Sequence, residues 1–277
     1  MIEVRNLSKN YKNFKLENVS FSLKSGNIVG LIGANGAGKS TILRIMVGLV
    51  KKDSGKVLAN GQMVTNLGER YRVGFVSQNL DIYSGQKMSS VSNFVKDIYS
   101  DIWDNELYEY YLFDRFNLKD DKKIKELSTG MRVKFFLAIE LAKNPECLLL
   151  DEVTSGLDPL IRDEVLDILS QIAKNNNIPI VLSSHITEDL EKIADYIVYL
   201  DSGHVLLEDT VKNIKQNYYK IDSKMLETIS DKNKAIILER GIRQHNYYIY
   251  NVNLLIGNEK VGDSAMLSDV LPFLRKE

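Results

Sequence analysis

The residue types best suited to chemistry lie in one glycine-rich stretch near the N-terminus, Gly33-Ala34-Asn35-Gly36-Ala37-Gly38-Lys39-Ser40-Thr41. The stretch fits the pattern G-x-x-x-x-G-K-[ST], in which glycines let successive backbone N–H groups turn toward one anion. Lys39 would supply an ammonium to the β- and γ-phosphates of a nucleotide, and Ser40 would offer a hydroxyl to Mg²⁺. The pattern therefore predicts a phosphate-binding loop for a nucleoside triphosphate.

The segments on either side of this loop are the ones that must position it. Residues 28–32 are apolar and mostly β-branched, which predicts a buried strand, and residues 42–47 run without a breaker, which predicts a helix. The N-terminus of that helix adds its positive dipole end to the anion site. Because strand, glycine loop and helix are the context that the motif requires, we expect a nucleotide-binding fold.

A second candidate site follows the apolar run 147–150, which ends in two adjacent acids, Asp151 and Glu152. In a phosphate-loop fold such a strand lies beside the loop, and its first acid reaches Mg²⁺, usually through water. The second acid is then placed to orient or deprotonate an attacking water molecule. Taken alone, the run could also be a strand that enters a solvated turn. The phosphate loop upstream favours the catalytic interpretation.

Composition limits the other classes of protein that the chain can represent. Of its 277 residues, 44% are hydrophobic and 26% charged, so the chain can bury a sizeable core. The net charge of −1 argues against a general nucleic-acid binder, since such proteins usually carry a basic excess. The single cysteine, Cys147, excludes an intramolecular disulfide and favours a reducing compartment. No stretch approaches the roughly 18 apolar residues of a membrane span. We therefore expect a cytosolic protein that reaches a membrane only through a partner.

Strand-like and helix-like runs alternate along the chain, which predicts an α/β protein with a parallel sheet covered by helices on both faces. The first 75 or so residues add short strands, and Asn60-Gly61 is a strong signal for a tight turn. Residues 89–118 are helical and rich in aromatic side chains, which we interpret as the packing of a small helical subdomain rather than as a base-stacking surface. After Asp209 the pattern predicts a short helix, strands at 235–238 and 247–250, and a last helix near 265–274.

Several further motifs resemble those of ATP-binding-cassette (ABC) ATPases. Leu127-Ser128-Thr129-Gly130-Met131 is similar to the signature motif of that family, and Ser155-Gly156-Leu157-Asp158 is similar to its D-loop. The remaining matches are to the Q-loop glutamine, the switch histidine and the aromatic residue that stacks on adenine: Gln78, His185 and Tyr11. The motifs occur in the family's order across about residues 1–210. The resemblance is closest to single-cassette ATPase subunits of bacterial exporters whose membrane domains are separate polypeptides.

The resemblance implies a phosphate-loop NTPase (RecA-like) core with an antiparallel β subdomain and a helical subdomain at about 79–128. Residues 1–210 would form the nucleotide-binding domain, and residues 211–277 a small C-terminal accessory α+β segment without a recognisable motif. It also implies an ATPase that drives an exporter of peptides, drugs or lipids, peripheral on the inner face of the cell membrane. Its partners would be membrane subunits and a second cassette, as a homodimer or heterodimer, with no nucleic acid.

The same resemblance assigns roles to individual residues, with ATP and Mg²⁺ as the cofactors. The catalytic residues would be Glu152, His185 and Gln78, and the metal-binding residues Ser40, Gln78 and Asp151. Ser128 and Gly130 open a helix, so that a hydroxyl and N–H groups face outward as an anion site for a neighbour's γ-phosphate. The residues expected to contact nucleotide are Tyr11, Gly33, Asn35, Gly36, Ala37, Gly38, Lys39, Ser40, Thr41, Ser128, Gly130 and Asp158.

Two positions depart from the family pattern, and two rival functions remain to be weighed. Thr129 stands where glycine is common and Val153 where proline is usual, but neither change removes a functional group.

A cassette protein that acts on ribosomes would resemble two cassettes in one chain, and a DNA-repair member would insert a long coiled coil between Gln78 and Ser128. A phosphate-loop kinase or GTPase would leave residues 128–131 unexplained, and the base-reading motif Asn-Lys-x-Asp does not occur.

Overall fold

The computed structural model describes residues 1–67, 72–79, 81, 83–244, 247–258 and 260–274. Its strands are β1 (Ile2–Tyr11), β2 (Phe14–Leu23), β3 (Ile28–Ile32), β4 (Ser54–Ala59), β5 (Gln62–Val64), β6 (Val73–Val76), β7 (Cys147–Asp151), β8 (Ile180–Ser184), β9 (Tyr196–Asp201), β10 (His204–Thr210), β11 (Tyr218–Asp222), β12 (Ile242–Gln244), β13 (Tyr247–Asn251) and β14 (Asp263–Ser264).

The helices are α1 (Lys39–Met46), α2 (Met88–Ile98), α3 (Asn105–Glu109), α4 (Thr129–Ala142), α5 (Pro159–Asn175), α6 (Thr187–Ile193), α7 (Val211–Asn217), α8 (Ser223–Leu226), α9 (Asp231–Arg240) and α10 (Leu267–Leu274). A π-helical segment, Tyr110–Arg115, continues α3. Among the described residues no helix combines the length and the apolar character needed to cross a membrane.

A six-stranded sheet in the order β10-β9-β3-β8-β7-β6 forms the centre of the molecule. All its neighbouring pairs are parallel except β10 with β9. Every residue of β3, β7 and β8 is buried, as in a sheet that helices cover on both faces. The prediction of a parallel α/β core is therefore confirmed, and the carboxyl ends of β3, β7 and β8 converge at one edge.

A separate antiparallel sheet, β2-β1-β4-β5, carries the N-terminal strands. Its last hairpin turns at Asn60 and Gly61, whose φ angles of 49° and 77° are those that a two-residue hairpin turn requires. The aromatic segment is helical, as predicted, and its rings pack on one another: Trp103 on Tyr108 at 5.1 Å between ring centroids, and Tyr111 on Phe116 at 5.8 Å. The expected antiparallel and helical additions to the core are thus both present.

The C-terminal part forms a third sheet, β12-β13-β11-β14, together with α7–α10. The predicted strand at 247–250 and the last helix are present, but the predicted strand at 235–238 is wrong, because these residues lie within α9. Ser230 begins that helix, and its hydroxyl accepts a hydrogen bond from the Asn233 N–H at 3.4 Å. Only Ile237 of the four residues is fully buried. The apolar run therefore supplies the buried face of a helix and not a buried strand.

Candidate functional site

The phosphate loop leaves β3 and enters α1 at Lys39, as the sequence predicts. Gly36 and Gly38 have φ angles of 82° and 112°, a conformation that residues with a side chain rarely adopt. A Cβ atom at Gly33 would lie 2.4 Å from the carbonyl oxygen of Leu200. The glycines at these three positions are therefore required by the backbone, and they leave the inner surface of the loop bare for an anion.

Lys39 lies under this loop with its side chain only 5% exposed. Its Nζ donates hydrogen bonds to the carbonyl oxygens of Gly33 and Ala34 at 2.7 and 3.2 Å. The same nitrogen lies 2.9 Å from Oε1 of Glu152, which is equally buried. The ammonium is therefore held at the centre of the loop by two backbone acceptors and one carboxylate.

Asp151 ends β7 and connects the loop to the next strand of the sheet. Its Oδ1 accepts hydrogen bonds from the hydroxyl of Ser40 at 2.9 Å and from that of Ser183 at 2.8 Å. Its Oδ2 is buried and has no hydrogen-bond partner among the described residues. A buried carboxylate oxygen without a donor is costly, so this atom marks a place where a cation or water can bind.

The oxygen atoms around Asp151 fit Mg²⁺, which favours carboxylate and hydroxyl ligands together with water and substrate phosphates. Ser40 and Asp151 are in direct contact, as expected for two residues around one cation. Gln78, the third predicted metal residue, is exposed on the loop after β6 and lines the same cleft as Ser40. The residue types present at this point of the cleft are thus compatible with a magnesium ion.

Glu152 follows Asp151 and connects three functional groups. Its φ angle of 54° is unusual for a residue with a side chain and turns the chain sharply at the sheet edge. Oε2 lies 2.6 Å from Nδ1 of His185, which follows β8, while Oε1 pairs with Lys39. The structure therefore brings together the predicted base, the switch histidine and the phosphate-loop lysine.

Ser183 contacts both acids of the site, and the sequence did not single it out. Besides its bond to Asp151, its hydroxyl accepts a hydrogen bond from the Glu152 N–H at 3.0 Å and so fixes both acids. The contact follows from how the two strands pair. β7 and β8 are parallel neighbours, and their register places Asp151 directly opposite Ser183. A serine at the end of a buried strand can therefore reach the acids that end the neighbouring strand.

A cleft of about 560 Å³ opens beside the loop. Tyr11 is 45% exposed there, and its ring lies 6.4 Å from that of Phe14, which was also missed from sequence. Lys9 places its Nζ 5.6 Å from the Tyr11 ring centroid. An exposed aromatic face at this position can stack on a nucleobase. The residues lining the cleft are Tyr11, Asn13, Phe14, Asn35, Gly36, Gly38, Lys39, Ser40, Thr41, Gln78 and Glu152.

Ser128, Gly130 and Asp158 do not belong to the described residues that line this cleft. The Ser128 hydroxyl accepts from the Met131 N–H at 3.3 Å and begins α4, and Asp158 accepts from the Ile161 N–H at 3.1 Å and begins α5. Gly130 is buried where the two helices meet, and a Cβ there would lie 2.4 Å from Cγ2 of Ile161. Within one chain, Ser128 and Asp158 are therefore exposed at the starts of two adjacent helices, outside the nucleotide cleft, with Gly130 buried beneath them. We call these two exposed residues the Ser128 surface.

Comparison with known proteins identifies the same family over most of the chain. The family model described as ABC transporter matches residues 16–155, and a model of an AAA domain matches residues 123–188. The lantibiotic transport ATP-binding protein SrtF of Streptococcus pyogenes is 34% identical over 211 residues, which cover 75% of this chain and 90% of that protein.

Other relatives differ in what their names say they transport. The bacitracin transport ATP-binding protein BcrA of Bacillus licheniformis is 29% identical over 273 residues, covering 97% of this chain and 88% of its own length. The methionine import ATP-binding protein MetN 2 of Acinetobacter baylyi is 29% identical over 271 residues, covering 92% of this chain and 80% of its own.

The fold is also similar to that of a solved cassette structure. It is a dimeric ATP-binding cassette in a post-hydrolysis state bound to ADP and phosphate, with 25% identity and a TM-score of 0.64, covering 76% of this chain and 99% of that one. The two matched stretches together contain the phosphate loop, the acid pair, the signature motif and the switch histidine. This chain belongs to the ATP-binding subunits of ABC transporters and is an ABC ATPase.

Proposed function

We propose that the chain is the ATP-hydrolysing motor of an exporter, working as a dimer on separate membrane subunits. The observation that carries the hydrolytic part of the proposal is the position of Glu152, whose two carboxylate oxygens contact Lys39 and His185 at 2.9 and 2.6 Å. This arrangement couples the group that binds phosphate to the group that activates water. Binding of the β- and γ-phosphates requires Lys39 Nζ to turn toward them, and Glu152 is then released to hold the attacking water.

The other residues of the cleft bind and orient ATP in this proposal. Tyr11 stacks on the adenine, and backbone N–H groups of the loop hold the phosphates. His185 lies at the carboxyl end of β8, where it can donate to the γ-phosphate. Ser40, Asp151 and Gln78 would hold Mg²⁺, which supplies neutralisation of charge on the phosphate oxygens.

The Ser128 surface, with the helix start that Gly130 belongs to, completes the site from a second copy in this proposal. In a head-to-tail dimer with two-fold symmetry, each copy presents this surface to the other's phosphate loop, so that two ATP molecules are buried. Glu152→Gln keeps the shape of the site but removes the base. We therefore expect this variant to bind ATP, to hydrolyse it slowly and to accumulate as an ATP-bound dimer.

Transport direction is the part of the proposal that the relatives support unevenly. SrtF and BcrA are named for lantibiotic and bacitracin transport, whereas MetN 2 is named for methionine import. We place the protein in the cytoplasm, on the inner face of the membrane, with peptides, drugs or lipids as cargo. The test is transport by inside-out vesicles that contain the protein with its membrane subunits. ATP-dependent accumulation of an antimicrobial peptide inside the vesicles is expected, and uptake of an amino acid only by right-side-out vesicles would contradict export.

The contact with a membrane subunit is proposed to lie on the helical segment that follows Gln78, residues 79–103. Its apolar side chains Phe94 and Ile98 are 54% and 58% exposed. A cavity of about 520 Å³ runs between this segment and the strand that precedes Gln78, with Leu49, Tyr99 and Ile102 in its walls. Because the loop of Gln78 must move inward to reach a phosphate, the attached segment moves with it.

Substitution of this surface tests the contact. Phe94→Asp and Ile98→Asp should abolish stimulation of ATP hydrolysis by the membrane subunits and leave basal hydrolysis unchanged. Leu238→Asp is the matched control, since Leu238 is 49% exposed but lies on α9 in the C-terminal part. Loss of stimulation in the control alone, or stimulation of the parent protein by ribosomes instead, would contradict the proposed contact.

A further inference from the structure

A second cavity lies on the other side of the phosphate loop, and we name it the socket. It has a volume of about 510 Å³ and is lined by the loop, by the turn after β8 and by α10, with Gly33, Ala34, His185, Ser268, Leu271 and Pro272 among its walls. The socket and the nucleotide cleft are joined through the contact of His185 with Glu152. The last helix of the chain therefore forms one wall of a cavity that adjoins the catalytic site.

The α10 wall is held firmly against the ATPase core. Leu267 and Val270 are 1% and 0% exposed and belong to the same apolar cluster as the central sheet. The Leu267 N–H donates to Oε2 of Glu191 on α6 at 3.3 Å, and Lys215 of α7 lies 3.1 Å from Oε1 of the same glutamate. The socket is thus a fixed feature of the fold and not a gap between loosely connected parts.

Leu160 is an apolar side chain that the single chain leaves in water. It is 82% exposed, more than any other large apolar residue in the described part of the chain. It lies in the first turn of α5, two residues after Asp158, and the next residue, Ile161, packs against Gly130. Leu160 is therefore an exposed apolar neighbour of Asp158 on the Ser128 surface.

We propose that Leu160 of one copy inserts into the socket of the second copy when the dimer closes. The inference rests on the proposed head-to-tail dimer, in which the Ser128 surface of one chain faces the phosphate loop of the other. Leu160 adjoins the first surface and the socket adjoins the second, and the proposal is that the two-fold axis that pairs the surfaces also pairs the leucine with the socket. Each dimer would bury two leucines, which removes apolar surface from water at two equivalent places.

The proposal assigns the C-terminal part a role in the assembly of the active site. Ser268, Leu271 and Pro272 of α10 would contact the partner's Leu160, while His185 on the opposite wall contacts the catalytic carboxylate. Closure of the dimer would therefore bring the partner's leucine into contact with α10 and with the wall that carries His185 at the same time. Without α10 the socket has lost a wall, and the partner's leucine would remain largely in water.

Dimerisation of the Glu152→Gln protein in saturating Mg·ATP, followed by sedimentation equilibrium, tests the inference. Adding Leu160→Asp should raise the dimer dissociation constant about a hundredfold, because two symmetry-related contacts each contribute about tenfold. Ser268→Trp, which fills the socket, should also weaken the dimer at least tenfold. Met63→Asp is the matched control, since Met63 is 68% exposed on β5, and it should have no effect. The affinity of each monomer for ATP should be unchanged.

Cysteines at the two proposed partners give an independent measurement. The Leu160→Cys, Ser268→Cys double variant should form ATP-dependent disulfides between copies, and the native Cys147 is buried and should not compete. If Glu152→Gln dimerises with ATP but Leu160→Asp has no effect and no cross-link forms, the socket proposal is wrong and the proposed function stands. If Glu152→Gln shows no ATP-dependent dimer at all, the proposed dimer is wrong and the socket falls with it.

Discussion

At the scale of single residues, the site depends on a chain of contacts that starts at Lys39 and ends at His185. Lys39 and Glu152 form an ion pair in which both side chains are 5% exposed. An intact buried ion pair adds little to the stability of the fold, because the cost of removing both charges from water offsets their attraction. Removal of one partner, however, leaves the other charge buried and unpaired. The same contact that prepares the site for phosphate therefore makes the site sensitive to substitution.

Lys39→Ala is expected to remove measurable ATP binding, because the phosphates lose their main counter-charge. It should also lower the free energy of unfolding by about 3–5 kcal/mol, since the buried Glu152 carboxylate then has no cation. Isothermal calorimetry with Mg·ATP and urea unfolding provide the two readouts. Lys39→Ala with Glu152→Gln should recover much of the stability but no binding. ATP affinity within threefold of the parent in either variant would contradict the role of Lys39.

Cys147 gives a probe of the buried strand β7. Burial raises the pKa of its thiol to about 12, so at pH 8 the folded protein holds it as the unreactive thiol. Ellman's reagent is expected to label the native protein only as fast as it unfolds, and to label one thiol per chain at once in urea. Mg·ATP should slow labelling further. Rapid stoichiometric labelling of the native protein would show that β7 is accessible.

At the scale of elements, the crossing of α4 and α5 positions Ser128 and Asp158 at the starts of two adjacent helices. Gly130 permits the close approach of α4 to Ile161, and both helices begin with side-chain caps, Ser128 and Asp158. The glycine of the signature motif therefore has a packing reason within one chain in addition to its proposed contact with a nucleotide. A side chain at this position must move one helix relative to the other.

Gly130→Ala should lower the free energy of unfolding by about 1–3 kcal/mol through overpacking against Ile161. Ile161→Ala in the Gly130→Ala background should be less destabilising than Ile161→Ala alone, because it removes the clash. Gly85→Ala is the control, since a Cβ there meets no atom within 4 Å. The measurement is chemical unfolding of the four variants. Strict additivity of the two substitutions would exclude the contact.

The elements also reveal where sequence reasoning succeeds and where it stops. The strand, loop and helix around Lys39, and the strand that ends at Asp151 and Glu152, follow from local pattern, whereas His185 follows from the resemblance to the family's motifs. The strands β9 and β10 were not predicted. Ser183 was missed because its role depends on which strands become neighbours. Residues 235–238 were assigned to a strand because the run is apolar, although the capping serine lies five residues upstream. Pairing of strands and burial of one helix face are properties of the folded chain, which local pattern does not contain.

At the scale of the whole molecule, the C-terminal part is joined to the ATPase core. Strand β10 ends at Thr210 and α7 begins at Val211, so no linker separates residues 1–210 from the rest. Several C-terminal side chains belong to the main apolar cluster: Ile214, Tyr218, Ile249, Ala265, Leu267, Val270 and Leu274. A second, smaller cluster around Ile221 and Tyr250 lies within the C-terminal part itself. The two parts on either side of residue 210 therefore share an apolar cluster and are joined without a linker.

Truncation after Thr210 is expected to lower the free energy of unfolding by about 3 kcal/mol or more, since it exposes the part of the core that α7 and α10 cover. Every nucleotide-binding motif lies before the cut, so the truncated protein should still bind ATP when folded by circular dichroism. Leu267→Ala in the full chain should reproduce part of the loss, and its exposed neighbour Met266→Ala should not. A truncated protein as stable as the parent would contradict the shared core.

The central claim is that the chain hydrolyses ATP with Glu152 as the base, and steady-state hydrolysis measured beside ATP binding tests it most directly. Glu152→Gln should hydrolyse ATP about 10² to 10⁴ times more slowly than the parent while binding it with similar affinity. Glu109→Gln, at an exposed position on α3, should behave as the parent. Undiminished turnover in Glu152→Gln would contradict the account and leave His185 as the next candidate for the base.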